Sequence, residues 1–234
     1  MNLEKHENGS TSEKKIRYLN LVNARKLCRK CSDLTNPSKY PQFDTEEIGP
    51  WSIWQGDLYA KILLIGQDWG DIESYINSKG RDEDSNPTNR HLVELFSSIG
   101  LSILGPSVRS ANQQMFFTNL VLYLKKGGLV APLSQNCYHN CGERFLRPLI
   151  EIICPRVIIS LGKAAYDQIV KQYHLDKIPF REAVEIEKGI TIGQNIRLFP
   201  VYHCGAHGWN INRKGDIQIN DWKKIRSYLD TLSP

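Results

Sequence analysis

No apolar run in the 234 residues reaches the roughly 18 needed to cross a bilayer. The opening stretch, MNLEKHENGSTSEKK, is polar and holds no apolar h-region, so it does not read as a secretory signal. These two absences lead us to expect a cytoplasmic protein with no membrane contact. There is no internal repeat and no low-complexity tract, which argues against a solenoid or a long linker. A disulfide framework is not expected either, because the six cysteines stand in a chain without a leader. What is present suits one globular domain: 41% of residues are hydrophobic and 24% charged, enough to bury a proper core. Residues 1–12 are expected to be disordered and 13–234 to form a single domain. The net charge of +5 fits a polyanion partner without requiring one.

Apolar runs alternate with helical periods along the chain. A helix is predicted from Glu13 to Arg29, and a proline-bearing loop from Thr35 to Asp57. Strands are predicted at Lys61 to Gly66, Met115 to Thr118, Arg156 to Leu161 and Ile196 to Tyr202. Between and after them come helices at Thr88 to Gly100, Cys141 to Ile153, after Gly162, and Asp221 to Leu232. Pro148 should kink its helix or mark a fresh first turn. The polar stretch Asp71 to Asn86 reads as an irregular loop, and Lys125 to Ser134 as a second loop with a solvated Lys125-Lys126 pair. This order predicts an α/β fold: a three-layer α/β/α sandwich around a central, mostly parallel four-stranded sheet.

Three of the apolar runs end on polar groups. KILLIGQDWG leads to Asp68, QMFFTN to Asn119, and RLFPVYHCG to His203. In an open α/β sheet, ligands bind at the carboxyl edge of the strands. An acid, an amide and an imidazole converging there form a candidate catalytic set. Taken singly, each has a plainer reading: Asp68 as a turn cap, Asn119 as a turn residue, His203 as a surface histidine. Their shared position at one sheet edge is what favours the functional reading.

These residues resemble the uracil-DNA glycosylase superfamily over nearly the whole chain. GQDWG is similar to its first motif, and HCG stands where its last motif begins. NPTNRHLVELFSSIGL resembles its NP-x-NR helix, FFTNLV its strand ending in the base-reading Asn, and CPRVIISLGKAAY its P-x-V-I-x-x-LG segment. CRKCSDL resembles the N-terminal cysteine pair of the iron–sulfur branch. The resemblance implies a monofunctional DNA glycosylase that flips out uracil or a C5-modified pyrimidine. Asp68 would orient or deprotonate a water and stabilise the sugar cation, and His203 would hydrogen-bond the base O2 as charge develops. Asn119, with Gln67, Trp69, Gly70 and Tyr75, would bind the base. The loop Gly205 to Gly215 would engage DNA, with His207 or Trp209 as wedge and Arg213 and Lys214 on phosphates. No Lys occupies a motif position, so no lyase step is expected. The protein is expected to work as a monomer.

The chain departs from the family pattern in several places. Trp69 stands where the motif usually has Pro. Gly70 stands where strict uracil enzymes carry a Tyr that blocks pyrimidine C5, which implies a roomier pocket. The stacking aromatic has only Tyr75 or Trp69 as candidates. Cys28, Cys31 and Cys141 match the iron–sulfur branch, whereas its third cysteine position holds Tyr123; Cys137 would have to substitute. Four such thiolates would bind a [4Fe-4S] cluster, with zinc as the alternative, in a structural role. Cys154, in LIEIICP, reads as a buried small hydrophobe. Two other readings stay open. One is an anti-phage glycosylase for hypermodified cytosines, such as glucosylated hydroxymethylcytosine. The other is an inactive DNA-binding module of the same fold.

Overall fold

The computed structural model describes residues 4–108 and 114–232, with side chains from residue 12 onward. The first helix, α1 (Glu4–Leu27), starts well before the expected Glu13. Most of the segment expected to be disordered is therefore helical, since each added residue extends an existing ladder by one hydrogen bond. Residues 1–3 lie outside the described residues. After α1 come β1 (Leu34–Thr35), α2 (Pro50–Trp54), β2 (Ile62–Asp68), α3 (Ile72–Asn77), α4 (Pro87–Ser98), β3 (Met115–Val121) and β4 (Leu124–Lys125). The second half holds α5 (Gln135–Cys141), α6 (Arg147–Ile153), β5 (Val157–Leu161), α7 (Lys163–Gln172), α8 (Phe180–Glu185), β6 (Ile190–Ile192), β7 (Ile196–Val201) and α9 (Gly215–Thr231).

The central sheet has five strands in the order β3-β2-β5-β7-β6, with β6 antiparallel at the edge. The four-strand expectation missed β6, three residues long and paired to β7 through a tight hairpin, because it has no apolar run of its own. β1 and β4 form a separate two-stranded ribbon. The parallel strands are apolar on both faces, as helix-covered strands must be. Leu63, Ile65, Phe116 and Ile158 pack into a core with α1, α5, α6 and α7. Ile62, Leu64, Phe117, Ile159 and Val201 pack into a second core with α2, α4 and α9. Each buried side chain of this size contributes about 1.5–3 kcal/mol. Pro148 sits in the first turn of α6, directly after a π-helical turn over Gly142–Leu146. Cys154 is exposed rather than buried, because it terminates α6 in a left-handed conformation (φ 53°).

The chain runs from β2 out to β3, then crosses back to β5 on the other side of β2. A crevice opens at the carboxyl edge where the strand order reverses in this way. No described helix is long and apolar enough to cross a membrane.

Candidate active site

β2 carries its apolar residues to Ile65 and then, past Gly66, places the half-buried Gln67 and Asp68 at the sheet edge. The Asp68 carboxylate is only 7% exposed, and both oxygens are engaged. The Gly70 N–H donates to Oδ1 at 2.8 Å, and Gln67 Nε2 donates to Oδ2 at 2.8 Å. The Lys125 ammonium lies 3.1 Å from Oδ1 and 3.3 Å from Oδ2. Asp68 thus does close a turn, as its plainer reading held, and it also faces the cleft.

Lys125 is a residue of the cleft that sequence reasoning missed. It is not in a solvated loop: its side chain is 6% exposed. β4 pairs with β1, and the Lys125 N–H donates to the Gly70 carbonyl, which brings the chain back over the end of β2. Lys125 Nζ also donates to the Leu129 carbonyl. The signal was present in VLYLK, where this lysine ends an apolar run.

Asn119 lies within β3, two residues short of its end, and pairs in register with Gly66. Its Nδ2 donates to the Asp68 carbonyl at 3.0 Å. That carbonyl only accepts, so the amide cannot be flipped, and its donor and acceptor ends are fixed. A Cβ on residue 66 would lie 2.7 Å from Asn119 Nδ2 and 2.8 Å from the Trp51 ring. Glycine there is what lets the Asn119 amide and the Trp51 ring approach the strand together. Trp51 also lines the cleft and was not among the expected aromatics.

His203 follows β7. Its ring opens onto the cleft, while Gly162 and Gly205 approach its side chain and Gly208 its backbone. Its residue surface is exposed to the cleft, but desolvation by the surrounding cleft walls lowers its pKa below the ordinary imidazole value, and the Asp68 charge pulls the other way. Nδ1 accepts the Gly205 N–H at 3.0 Å, so the proton of the neutral ring is on Nε2.

The remaining expected residues are placed as follows. Trp69 packs its ring against Gly49, with the Arg25 guanidinium 5.6 Å from its centroid. Its Nε1 has no hydrogen-bond partner among the described residues. Gly70 has φ +90°, a conformation in which a Tyr would be strained, and Leu129 Cδ2 lies 3.0 Å from where its Cβ would stand. Leu129 therefore occupies part of the room that Gly70 leaves. Tyr75 is on α3, a short helix that Asp71 caps inside the expected irregular loop. Its hydroxyl donates to the Phe43 carbonyl and its ring packs on Tyr40, so it walls the cleft with little freedom.

The loop after β7 differs from expectation in two residues. Trp209 stacks on His91 at 4.1 Å and is closed in by Gly215, so it is not free to act as a wedge. Arg213 pairs twice with Asp221 and once with Glu185, which uses its charge inside the protein. His207 and Lys214 are exposed.

The four thiols Cys28, Cys31, Cys137 and Cys141 come near one another around Tyr123. Burial pushes the Cys28 thiol up, but hydrogen bonds from Tyr123 and the Lys30 backbone, with nearby Arg144, outweigh it and hold it below the ordinary value. Burial pushes Cys137 and Cys141 upward, and Cys137 bonds the Asp33 carboxylate. Among the described residues, no three His, Cys, Asp or Glu side chains are arranged to hold a metal ion.

The cleft bounded by Asp68, Asn119, Lys125 and His203 encloses about 770 Å³. Its outer wall, from Ser74 to Thr88, is rich in hydroxyls, amides and carboxylates. Residues 53–224 match a family model described as the uracil DNA glycosylase superfamily. No curated protein matches the chain.

Proposed function

The chain belongs to the uracil DNA glycosylase superfamily, and we propose that it takes a flipped pyrimidine into this cleft and hydrolyses its N-glycosidic bond with water. The observation that carries the proposal is the meeting of Asp68, Asn119 and His203 in one cleft at the carboxyl edge of the sheet. A base inside a duplex cannot reach these groups, so the nucleotide must leave the stack. Asn119 then reads the Watson–Crick edge, with its amide held in one orientation by the Asp68 carbonyl. As the bond to the base stretches, positive charge grows on the sugar and negative charge on the base. The ionised Asp68 stabilises the first and orients the attacking water. The His203 Nε2–H faces the second as a neutral donor, its other nitrogen being occupied by Gly205.

Water, and not an amine, is the nucleophile in this scheme. The three N–H bonds of Lys125 are directed to the two Asp68 oxygens and to the Leu129 carbonyl, so its nitrogen has no lone pair to offer. Lys125 positions the carboxylate.

We propose uracil or a C5-modified pyrimidine as the substrate, because no aromatic ring stands at Gly70. The polar outer wall favours a second reading, in which a bulky, hydroxyl-bearing C5 substituent is accepted. An abasic-site assay decides between them. The panel is uracil in single and double strands, hydroxymethyluracil, and hydroxymethylcytosine with and without glucose. Alkali-labile breaks at one or more members are expected, with no borohydride-trapped protein–DNA adduct. Asp68→Asn keeps an oxygen for Lys125 and Gly70 and should lower the rate by about 10²–10⁴-fold. Breaks at no panel member would sink the proposal, and a rate within a few-fold of wild type would remove Asp68 from its role.

A further inference from the structure

We propose that Leu129 and Val130, at the tip of the loop between β4 and α5, form the wedge that enters the duplex when the target nucleotide leaves it. The inference rests on the glycosylase reading of the cleft. Three observations carry it.

The first is exposure. Val130 is 96% exposed and Leu129 60%, and they are consecutive. Scattered exposed aliphatics are ordinary, but an apolar pair on a loop tip has no packing role to explain it. The second is place. Leu129 is the one exposed large hydrophobic in the cleft wall among the described residues. Its side chain stands over Gly70, beside Asp68. A group that fills the gap left by a flipped nucleotide must sit beside the site that receives it.

The third is rigidity. Lys125 Nζ holds the Leu129 carbonyl, and Lys126 Nζ donates to the Ser32 carbonyl at 2.6 Å. The Ala131 N–H closes a turn onto Gly128, and Ser134 caps α5 just beyond. The tip is therefore fixed in space although its side chains touch little. Apolar side chains that unstack bases act in this way, inserted from a firm base between neighbouring steps. Through Lys125, the element that would open the duplex is tied directly to the carboxylate that would act on the flipped sugar.

The loop after β7 is the competing place for a wedge. Its Trp209 is enclosed, but His207 is exposed and Ile211 is 69% exposed. Apart from His203, no residue of that loop lines the cleft.

The test uses the full chain and two readouts. In the first, 2-aminopurine is placed opposite a tetrahydrofuran abasic analogue in a duplex, which needs no knowledge of the excised base. Wild-type protein should change its fluorescence several-fold on binding. Leu129→Ser/Val130→Ser should bind, as followed by anisotropy, and give little change. In the second, Val130→Ser, whose side chain does not line the cleft, should lose about tenfold or more in rate on a duplex substrate while staying within about twofold on the same base in a single strand, where nothing has to be unstacked. Equal loss on both strand forms, loss on neither, or a duplex-specific loss produced by His207→Ser or Ile211→Ser alone would overturn the inference. Absence of cleavage by wild type on every substrate would instead remove the glycosylase reading, and the fluorescence arm would still decide the wedge. Both residues are surface-exposed, so their replacement should leave folding intact; an unchanged thermal midpoint checks this.

Discussion

His203 illustrates how one backbone contact can set the chemistry of a side chain. The Gly205 N–H points at Nδ1, so protonating that nitrogen would set two donors against each other. Desolvation by the cleft walls acts in the same direction, although the residue surface is exposed, and holds the folded-state pKa below the ordinary value of 6.5. Below about pH 6.5 the unfolded chain takes up a proton that the folded chain resists, so stability is complete above that pH and declines as pH falls toward the folded-state pKa. His203→Gln should flatten this part of the stability–pH curve and also lower the rate at neutral pH. Urea midpoints from pH 7.5 down to 4.5 check the first effect; parallel curves for the two proteins would mean that the ring is not held neutral by the fold. Asn119 shows the same principle, since the Asp68 carbonyl turns a rotatable amide into a fixed one.

At the level of elements, the site depends on strand register. Gly66 and Asn119 face each other because β2 and β3 run parallel in that register, and a slip of one residue would turn Asn119 to the opposite face. β4 makes a second connection, carrying Lys125 back to the end of β2. The Lys125–Asp68 pair is almost completely enclosed, with side chains 6% and 7% exposed. Removing one member of such a pair leaves an unpaired buried charge. Lys125→Met should therefore cost about 3–5 kcal/mol of stability and free the Leu129 loop as well. Denaturant unfolding measures the first, and proteolysis within residues 126–133 the second. A loss under about 1 kcal/mol would place this pair with ordinary surface salt bridges.

At the level of the whole molecule, the family match begins at residue 53, but the folded body begins earlier. α1 buries Tyr18, Leu21 and Val22 in one core, and Arg25 is fully enclosed, bonded to Asp44, Thr45 and Glu47 and set over Trp69. At about 1.5–3 kcal/mol for each large buried apolar side chain, their loss would consume much of a typical stability of about 5–15 kcal/mol. A chain begun at residue 53 should lose its cooperative unfolding transition by circular dichroism. A sharp transition at the full-length midpoint would show that α1 is dispensable. The alternation of apolar strands with amphipathic helices determined the α/β layering by itself, because a buried parallel strand must be apolar on both faces. The polar residues closing those strands likewise placed Asp68, Asn119 and His203 at one edge. What the tertiary structure alone decided came from contacts between segments distant in sequence. β4 folds back to bury Lys125, His91 and Gly215 enclose Trp209, Asp221 claims Arg213, and the four cysteines approach one another around Tyr123. None of these leaves a local period or spacing, since the energy of a buried charge or a stacked ring depends on its neighbours in space.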